Sequence, residues 1–319
     1  MNKKETIEWL ADVQSTNMYP KRRDQVNETI PFFEIFRNNF GRYDMNCYNY
    51  EQADNAPRMP FVKNYLTHQI LPFLSSKCDV SGFYNIQLHD SYCYLNDSKD
   101  YTNVFTFTKF KIDKGPVLLP DSYMMGNWGN QLNNISDNLP WESKQSKIIW
   151  KGTTTGNTNP KLNQRIKTCL WGLTKPDITE FNITNIAQMS VESVLESVPN
   201  FRDIYGQPMN QNEQMKFRYH LSMDGNTCNW SVWPYCTKSL VFKYKSPEML
   251  WYYPIMQNKT HFVEVDIKNM EDQFQYYENN QKEAEFIIKN ANEFSKSMFN
   301  PLVTQNYTIR IFENISQNR

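Results

Sequence analysis

Hydrophobic and polar positions along the chain follow two periods, one of alternate residues and one of three to four residues. Short runs rich in β-branched and aromatic residues predict strands, and apolar residues at helical spacing predict helices between some of them. The predicted strands are 83–88, 104–110, 147–152, 239–244 and 261–266, and helical segments begin at Pro160 and Ser190. This succession predicts an α/β fold with parallel strands.

The carboxyl-terminal part of the chain has the clearest helical pattern. Ile287, Ala291 and Phe294 recur at helical spacing. A further helix is predicted to begin near Pro301, because proline fits the first turn of a helix.

The chain length predicts more than one domain. With 319 residues, the chain is too long for one ordinary hydrophobic core. The polar segment 133–147 contains Pro140 and many turn-forming residues, which is typical of a connection. We expect a first lobe over residues 1–140, a second over 141–300, and a final helix over 301–319 that could return to the first lobe.

The charge balance argues against several classes of partner. Thirty-four basic residues match 34 acidic ones, so no positive field would attract nucleic acid or anionic lipid. The amino terminus lacks the apolar core of a signal peptide, and no window is apolar enough to span a membrane. Six scattered cysteines have no C-x-x-C spacing and are expected to be free thiols. These features predict a cytoplasmic protein that is not secreted.

The stretch I-I-W-K-G-T-T-T-G-N (148–157) is the first with candidate chemistry. It runs from a predicted strand into a turn rich in glycine and hydroxyl groups, followed by a helix that carries Arg165. Such a loop can present backbone N–H groups and hydroxyls to a diphosphate, and an arginine can add charged donors. The stretch matches neither the Walker loop nor G-x-G-x-x-G. An ordinary strand-to-helix turn remains the alternative.

Five short motifs follow one another through the second half of the chain. They are W-K-G-T-T-T (150–155), D-G-N (224–226), S-L-V-F-K (239–243), W-Y-Y (251–253) and H-F-V-E-V (261–265). In order and spacing they resemble the core of glycosyltransferase family 90. That family includes protein O-glucosyltransferases, capsule-associated xylosyltransferases and enzymes that modify lipopolysaccharide. The resemblance extends over about residues 80–315.

The resemblance implies a GT-B enzyme, with two Rossmann-like lobes facing a cleft. It implies an inverting, metal-independent transfer of xylose or glucose from a UDP-sugar to a hydroxyl of a glycan or glycoprotein, with the acceptor on the side of the first lobe. The UDP-sugar would be a co-substrate, and no cofactor is expected. The implied donor-binding residues are Lys151, Gly152, Thr153, Thr154, Thr155, Arg165, Asp224, Gly225, Ser231, Ser239 and Lys243.

An inverting transfer needs a base to take the proton of the attacking hydroxyl. By resemblance, that base is Asp90, which follows the predicted strand 83–88. A carboxylate at the carboxyl end of a parallel strand faces the crevice where α/β proteins bind ligands. The alternatives are a turn-forming aspartate and the neighbouring His89 as base.

Several positions admit a second interpretation. Members of the family usually have arginine where this chain has Lys151, and a further arginine near the position of Ser231. Lysine cannot make the two-pronged contact of a guanidinium. A catalytically impaired member that binds nucleotide or glycan without turnover is therefore the alternative. Trp251, Tyr252 and His261 are interpreted as packing residues rather than sugar contacts.

Overall fold

A computed structural model of the protein describes most of the chain. The described residues are 2–15, 18, 20–26, 28, 30–49, 58–88, 104–113, 115–126, 132, 134–228 and 231–318. The chain divides into two compact units. Unit 1 contains Met1–Leu132, Pro247–Ile255 and Ser297–Arg319, and unit 2 contains Asn133–Ser246 and Met256–Lys296.

The described residues contain both strands and helices. The strands are β1 (Phe32–Arg37), β2 (Tyr43–Tyr48), β3 (Gly82–Ile86), β4 (Val104–Thr106), β5 (Lys109–Phe110), β6 (Val117–Leu118), β7 (Gln145–Thr153), β8 (Thr179–Asn185), β9 (Phe217–Ser222), β10 (Leu240–Tyr244), β11 (Glu248–Met249) and β12 (Val263–Val265). The helices are α1 (Lys3–Ser15), α2 (Arg58–Tyr65), α3 (Ser122–Met125), α4 (Gln164–Leu173), α5 (Val191–Ser197), α6 (Phe201–Ile204), α7 (Gln211–Gln214), α8 (Met270–Asn279), α9 (Gln281–Met298) and α10 (Pro301–Gln317).

Unit 1 is built on a mixed sheet with the strand order β2-β1-β3-β4-β6. Strands β3, β4 and β6 are parallel, whereas β1 is antiparallel to both of its neighbours. An aromatic cluster covers one face, where Phe33 stacks on Tyr84 and on Phe105. Phe312 of α10 packs against the Tyr84 and Phe105 rings, so the last helix is part of this core.

Polar contacts also hold α10 in unit 1. Arg310 forms an ion pair with Asp12 of α1 at 3.1 Å, and Asn314 donates to the same carboxylate at 2.8 Å. The hydroxyls of Tyr65 and Thr308 are hydrogen-bonded at 2.9 Å inside the core. The first and last helices therefore belong to one packed body.

Unit 2 contains a fully parallel sheet with the order β12-β10-β9-β7-β8. Counted from β7 in chain order, this is the 2-1-3-4-5 arrangement of doubly wound α/β folds. The direction of progress along the sheet reverses between β7 and β9. Alternate residues of β7 and β9, such as Trp150 and Tyr219, enter the hydrophobic core, and their neighbours line the opposite face.

The structure confirms the predicted α/β class and the parallel strands. The predictions missed β1, β2, β6, β8, β9 and β11, and the predicted strand 104–110 is divided into β4 and β5. The helix predicted from Pro160 begins only at Gln164, because the Asn163 side chain caps it. Five cysteines in the described residues are free thiols, as expected, and Cys93 lies outside those residues.

The aromatic motif near residue 251 is a packing element, as predicted. Trp251 and Tyr252 are buried, and the Trp251 ring lies 4.8 Å from the Tyr307 ring. His261 accepts a 3.0 Å hydrogen bond from the Gln257 N–H through its Nδ1, which gives it a structural role. Within the described residues, no helix combines the length and apolar character that crossing a membrane requires.

Candidate functional site

The carboxyl edge of the unit 2 sheet, between β7 and β9, contains most of the predicted donor-binding residues. Thr153 ends β7, and Asp224 follows β9 by two residues. This is the point where the strand order reverses, and α/β proteins bind ligands in the crevice outside such a switch point. The topology and the motifs therefore indicate the same place.

Arg165 joins the two loops at this edge. Its Nε donates to the Asp224 carbonyl oxygen at 2.8 Å, and its Nη2 donates to the Met223 carbonyl oxygen at 3.3 Å. Its Nη1 donates to the Thr155 Oγ1 at 2.6 Å and to the Thr153 carbonyl oxygen at 3.1 Å. The guanidinium thus ties the loop after β7 to the end of β9.

The surroundings of Arg165 shift the pKa of its side chain. Burial lowers the pKa of Arg165 to about 10, and the charge of Asp224 opposes that shift. The Arg165 side chain therefore remains charged at neutral pH. Its guanidinium carbon lies 5.5 Å from the centroid of the Trp150 ring. Because protein oxygens already accept most of its hydrogen bonds, it supplies positive potential and holds the loops in position.

Two glycines allow the loops to approach closely. A β-carbon at Gly225 would lie 2.7 Å from the Thr155 Oγ1 and 2.8 Å from the Arg165 Nη2. Gly156 has a φ of +118°, and a β-carbon there would lie 2.9 Å from the Gly225 carbonyl oxygen. A side chain at Gly156 would push against the Gly225 backbone, whereas one at Gly225 would require the Thr155 and Arg165 side chains to move.

Two asparagines shape the same loop: Asn226, which belongs to the D-G-N motif, and Asn163, which the sequence reasoning missed. Asn163 is buried, caps α4 by accepting from the Ile166 N–H at 3.1 Å, and donates to the carbonyl oxygens of Thr154 and Asn157. Asn226 accepts a 2.9 Å hydrogen bond from the Gly156 N–H. The preference for asparagine at N-caps was a signal that could have identified Asn163.

The three threonines of the loop have different environments. The Thr154 hydroxyl donates to the Ala187 carbonyl oxygen at 2.9 Å and accepts from the Ala187 N–H at 2.8 Å, so it anchors the loop after β8. Thr153 and Thr155 have their hydroxyl oxygens 3.3 Å apart. These two hydroxyls, rather than that of Thr154, lie beside the Arg165 guanidinium.

Lys151 and Gly152 lie near the end of β7. The Lys151 ammonium forms a 2.7 Å ion pair with Glu180 of β8 and also donates to the Asn182 side chain. A β-carbon at Gly152 would lie 2.6 Å from the Trp150 ring. Packing against this ring is therefore a reason for glycine at this position. The predicted diphosphate contact of Lys151 would require its ammonium to share or leave Glu180.

Ser239 is not brought to this cluster. It immediately precedes β10, whereas Thr153 ends the parallel strand β7. Leu240 lies beside Tyr219, which lies beside Ile148, so Ser239 and Thr153 are separated by roughly 20 Å along the strands at about 3.3 Å per residue. Ser239 instead donates to the Phe217 carbonyl oxygen and accepts from Lys144.

Three further predicted residues are Lys243, Ser231 and Asp90. Lys243 is buried in β10, in register with Ser222 of β9 and Glu264 of β12. Ser231 is half-buried and precedes a short 3-10 turn at Trp233–Cys236. Asp90 and its competitor His89 lie outside the described residues. Among the residues that are described, no three His, Cys, Asp or Glu side chains are grouped to hold a metal ion.

Comparison with known proteins gives one family match. Residues 91–318 match the family described as Glycosyl transferase family 90. No curated protein matches the chain. The family match includes the loop after β7, Arg165 and the turn after β9.

Solved structures give weaker likenesses. One is a point mutant of Staphylococcus aureus TarM in complex with fondaparinux, alpha-GlcNAc-glycerol and UDP, with 11% identity, a TM-score of 0.41, and coverage of 64% of this chain and 40% of that one. A second TarM structure has 12% identity, a TM-score of 0.41 and coverage of 66% and 50%. The C-terminal domain of LpcC, a group 1 glycosyl transferase from Francisella tularensis, has 12% identity, a TM-score of 0.29 and coverage of 48% and 85%. The chain thus spans half or less of the TarM chains that it matches.

Proposed function

Because the chain belongs to glycosyl transferase family 90, we propose that it transfers a sugar from a UDP-sugar to a hydroxyl group of a glycan or protein acceptor. The donor sugar is xylose or glucose, and the reaction inverts the anomeric centre without a metal ion. The UDP-sugar is a co-substrate and no cofactor takes part. The protein acts in the cytoplasm.

One observation carries the donor-binding part of this proposal. Arg165 joins the hydroxyl-rich loop after β7 to the Asp224-Gly225 turn at the switch point of the unit 2 sheet. A nucleotide diphosphate placed there would face the Thr153 and Thr155 hydroxyls and the positive potential of Arg165. Prearranged donors of this kind stabilise a leaving diphosphate because they need no reorganisation during the reaction.

The proposed roles differ among the candidate residues. Thr153 and Thr155 contact the phosphates, and Arg165 holds these two threonines in position. Lys151 provides a second charge when its ammonium turns from Glu180 toward the phosphates. Lys243 contributes positive charge from inside the sheet. Asp90 acts as base and removes the proton of the acceptor hydroxyl as that hydroxyl attacks the anomeric carbon.

A second candidate function has its own observation. Lys151 is paired with Glu180, and most hydrogen bonds of Arg165 go to protein oxygens. Both cations are thus engaged within the protein. A member of the family that binds the nucleotide or a glycan without turning it over would need no more than this arrangement.

A UDP-release assay tests the two functions. Purified protein is incubated with UDP-xylose, UDP-glucose and other UDP-sugars, with and without EDTA, beside Asp90→Asn. Release that depends on the donor, persists in EDTA and disappears in Asp90→Asn is the expected result. Calorimetry with UDP, GDP and CMP measures binding independently, and UDP is expected to bind most tightly.

The outcomes separate the candidates. UDP binding without release from any donor, even with a panel of glycan acceptors, would favour the binding function. No measurable binding of UDP would contradict both the transfer reaction and a nucleotide-binding function. Loss of release in EDTA that returns with added Mg²⁺ would contradict the metal-independent mechanism alone.

A further inference from the structure

The turn between β1 and β2 in unit 1 borders a surface cavity of about 640 Å³. Residues of the segment 67–76 form its other wall. Cavities that bind ligands usually have volumes of roughly 300–1,000 Å³. Most of the lining residues are exposed or half-buried, so a ligand in the cavity can touch side chains such as Arg37, Arg42 and Ser75.

The lining of the cavity is polar and has unused hydrogen-bonding groups. Within the described part of the chain, the Arg42 guanidinium forms no hydrogen bond or ion pair, because only the backbone N–H of Arg42 is engaged. One oxygen of the Asp44 carboxylate accepts from the Met45 N–H at 2.8 Å, which leaves the other oxygen without a partner among the described residues. A guanidinium and a carboxylate together offer several donors and acceptors to a polar ligand.

Two exposed phenylalanines flank this polar lining. Phe40 directly precedes the lining residue Gly41, and Phe73 directly precedes the lining residue Leu74. The two phenylalanines are 88% and 61% exposed. Exposed aromatic rings beside a cavity are available for contact with apolar C–H groups of a ligand. The cavity therefore fits a molecule with both hydroxyl groups and C–H faces, which is the character of a sugar.

Hydrogen bonds define the turn that carries Phe40 and Arg42. The Asn38 Oδ1 accepts from the Phe40 N–H at 3.0 Å and from the Arg42 N–H at 3.1 Å. The Arg37 guanidinium donates to the Gly41 carbonyl oxygen at 3.0 Å. The turn is therefore ordered without a ligand, and such preorganisation lowers the entropic cost of binding.

The opposite wall of the cavity has an uncommon backbone conformation. Residues Leu66–Ile70 form a π-helical turn, which includes the lining residue Thr67. Turns of this kind are rare and occur frequently at functional sites. This observation is independent of the β1–β2 turn and indicates the same cavity.

The cavity is at a different edge of the unit 1 sheet from the predicted base. Strand β1 is antiparallel to β3, and Ile35 near the end of β1 pairs with Gly82 at the start of β3. The turn after β1 therefore lies at the amino edge of β3. Asp90, the predicted base, follows the carboxyl end of β3 in the chain. A ligand in the cavity would thus bind away from the predicted site of reaction.

We propose that this cavity binds one sugar unit of a glycan acceptor, at a distance from the unit that receives the new sugar. The inference rests on the proposed function for the identity of the ligand, and it specifies a glycan rather than a protein acceptor. Arg42 and Asp44 bind the sugar hydroxyls, and Phe40 packs against a C–H face of the ring. A second contact on the same glycan chain raises its affinity by increasing the effective concentration, so long acceptors are favoured over short ones.

Binding is measured with xylohexaose, cellohexaose and maltohexaose in the presence of UDP. Saturation-transfer NMR gives the affinities and requires no turnover. The wild-type protein is expected to bind at least one of these hexasaccharides, and Phe40→Ala and Arg42→Gln to bind it about three- to tenfold more weakly. In the wild-type protein, the amide signals of Gly41 and Arg42 are expected to shift when the hexasaccharide binds.

Phe61→Ala is the matched control. Phe61 is a phenylalanine of unit 1 that is 54% exposed and does not line the cavity. Phe61→Ala is expected to bind the hexasaccharide as tightly as the wild-type protein does. Because all three variants change exposed side chains, their Tm values are expected to stay within about 1–2 °C of the wild-type value in differential scanning calorimetry.

Three results would overturn the inference. The first is the absence of hexasaccharide binding to the wild-type protein, which would favour a protein acceptor instead. The second is equal affinity in the wild-type protein, Phe40→Ala and Arg42→Gln, and the third is an equal loss of affinity in Phe61→Ala. Failure of the proposed function is distinguishable, because it would appear as a lack of UDP binding or release, whereas hexasaccharide binding is measured without either.

Discussion

The Nε of Arg165 lies 2.8 Å from the carbonyl oxygen of Asp224, so a side chain of α4 fixes the segment that follows β9. The same guanidinium holds the Thr155 hydroxyl at 2.6 Å. The geometry of the candidate donor site therefore depends on one side chain, and most hydrogen bonds of that side chain go to oxygen atoms of the protein.

Arg165→Lys keeps a positive charge but loses the planar guanidinium group, whose nitrogen atoms donate to both loops. Several carbonyl oxygens would lose charged donors, and each such hydrogen bond contributes about 1.5–3 kcal/mol. We expect the free energy of unfolding to fall by about 2–4 kcal/mol and UDP to bind at least tenfold more weakly. Urea unfolding and calorimetry measure these changes.

Arg202→Lys is the matched control, because Arg202 is an exposed arginine of α6 in the same unit. It is expected to change stability by less than about 0.5 kcal/mol. Unchanged UDP affinity in Arg165→Lys, with a normal unfolding curve, would show that the loops keep their positions without the guanidinium group.

Gly156→Ala tests the close approach of the two loops. Its φ of +118° strains any residue with a β-carbon, and that atom would lie 2.9 Å from the Gly225 carbonyl oxygen. We expect a loss of about 2–4 kcal/mol in the free energy of unfolding. Gly41→Ala is the control, since Gly41 has a φ of +72° with no atom within 4 Å of an added β-carbon, and its cost is expected to be about 1 kcal/mol. Equal losses of unfolding free energy in both variants would mean that backbone strain alone accounts for the need for glycine at position 156.

The buried ion pair of Lys144 and Asp137 anchors the segment before β7. The two groups are 2.7 Å apart and almost fully buried, and Lys144 also donates to Ser239 at 3.1 Å. Burial lowers the pKa of Lys144, whereas Asp137 raises it. Asp137→Ala leaves the ammonium buried without its carboxylate, so we expect a loss of about 3–5 kcal/mol.

An exposed pair in the same unit provides the comparison. Lys245 and Asp266 are 2.8 Å apart, but the lysine side chain is about half exposed. Asp266→Ala breaks this ion pair and the N–H contact of the same carboxylate with Lys268, so we expect a much smaller loss in the free energy of unfolding than for Asp137→Ala, because solvent screens an exposed pair. If thermal unfolding gives the two variants the same loss, burial does not determine the strength of the pair.

Lys109 predicts a dependence of stability on pH. Its Nζ donates to the Gln14 side chain and to the Pro116 carbonyl oxygen, and burial lowers its pKa from 10.5 to about 8. The unfolded chain therefore binds this proton more tightly than the folded protein does. Between pH 8 and 10.5 the free energy of unfolding should rise, by about 3 kcal/mol in total from this group.

The difference between wild type and Lys109→Met isolates this contribution, because other groups titrate alike in both. We expect the wild type to gain stability relative to Lys109→Met as the pH rises from about 7.5 to about 10. Lys111→Met, which changes an exposed lysine two residues away, should show no such trend. A flat difference for Lys109→Met would show that Lys109 titrates normally in the folded protein.

The sequence was informative where a motif is local. The loop after β7 and the turn at Asp224 were predicted from short stretches, and the structure brings them together with Arg165. The contacts of Arg165 with the end of β9 were not predictable, because these partners are backbone carbonyls more than fifty residues away in the chain. A pattern of side chains contains no signal for such acceptors.

Other differences also have physical reasons. Strand β9 contains Arg218 and the buried His220, so its polar composition concealed a central strand. Ser239 and Lys243 belong to one motif, but parallel strands have a direction, and the motif begins at the opposite edge from the donor loop. The role of Asp90 stays a prediction from resemblance, since the residue lies outside the described part of the chain.

Unit 1 is assembled from three separate stretches of chain, and α10 supplies Phe312 and Tyr307 to its core. During synthesis on a ribosome, the first 132 residues emerge long before these two aromatic rings. The nascent first unit would therefore expose the faces of Tyr84 and Phe105 until residues 297–319 have been made. Exposed aromatic surface of this kind is prone to aggregation, and the order of the sequence sets how long that exposure lasts.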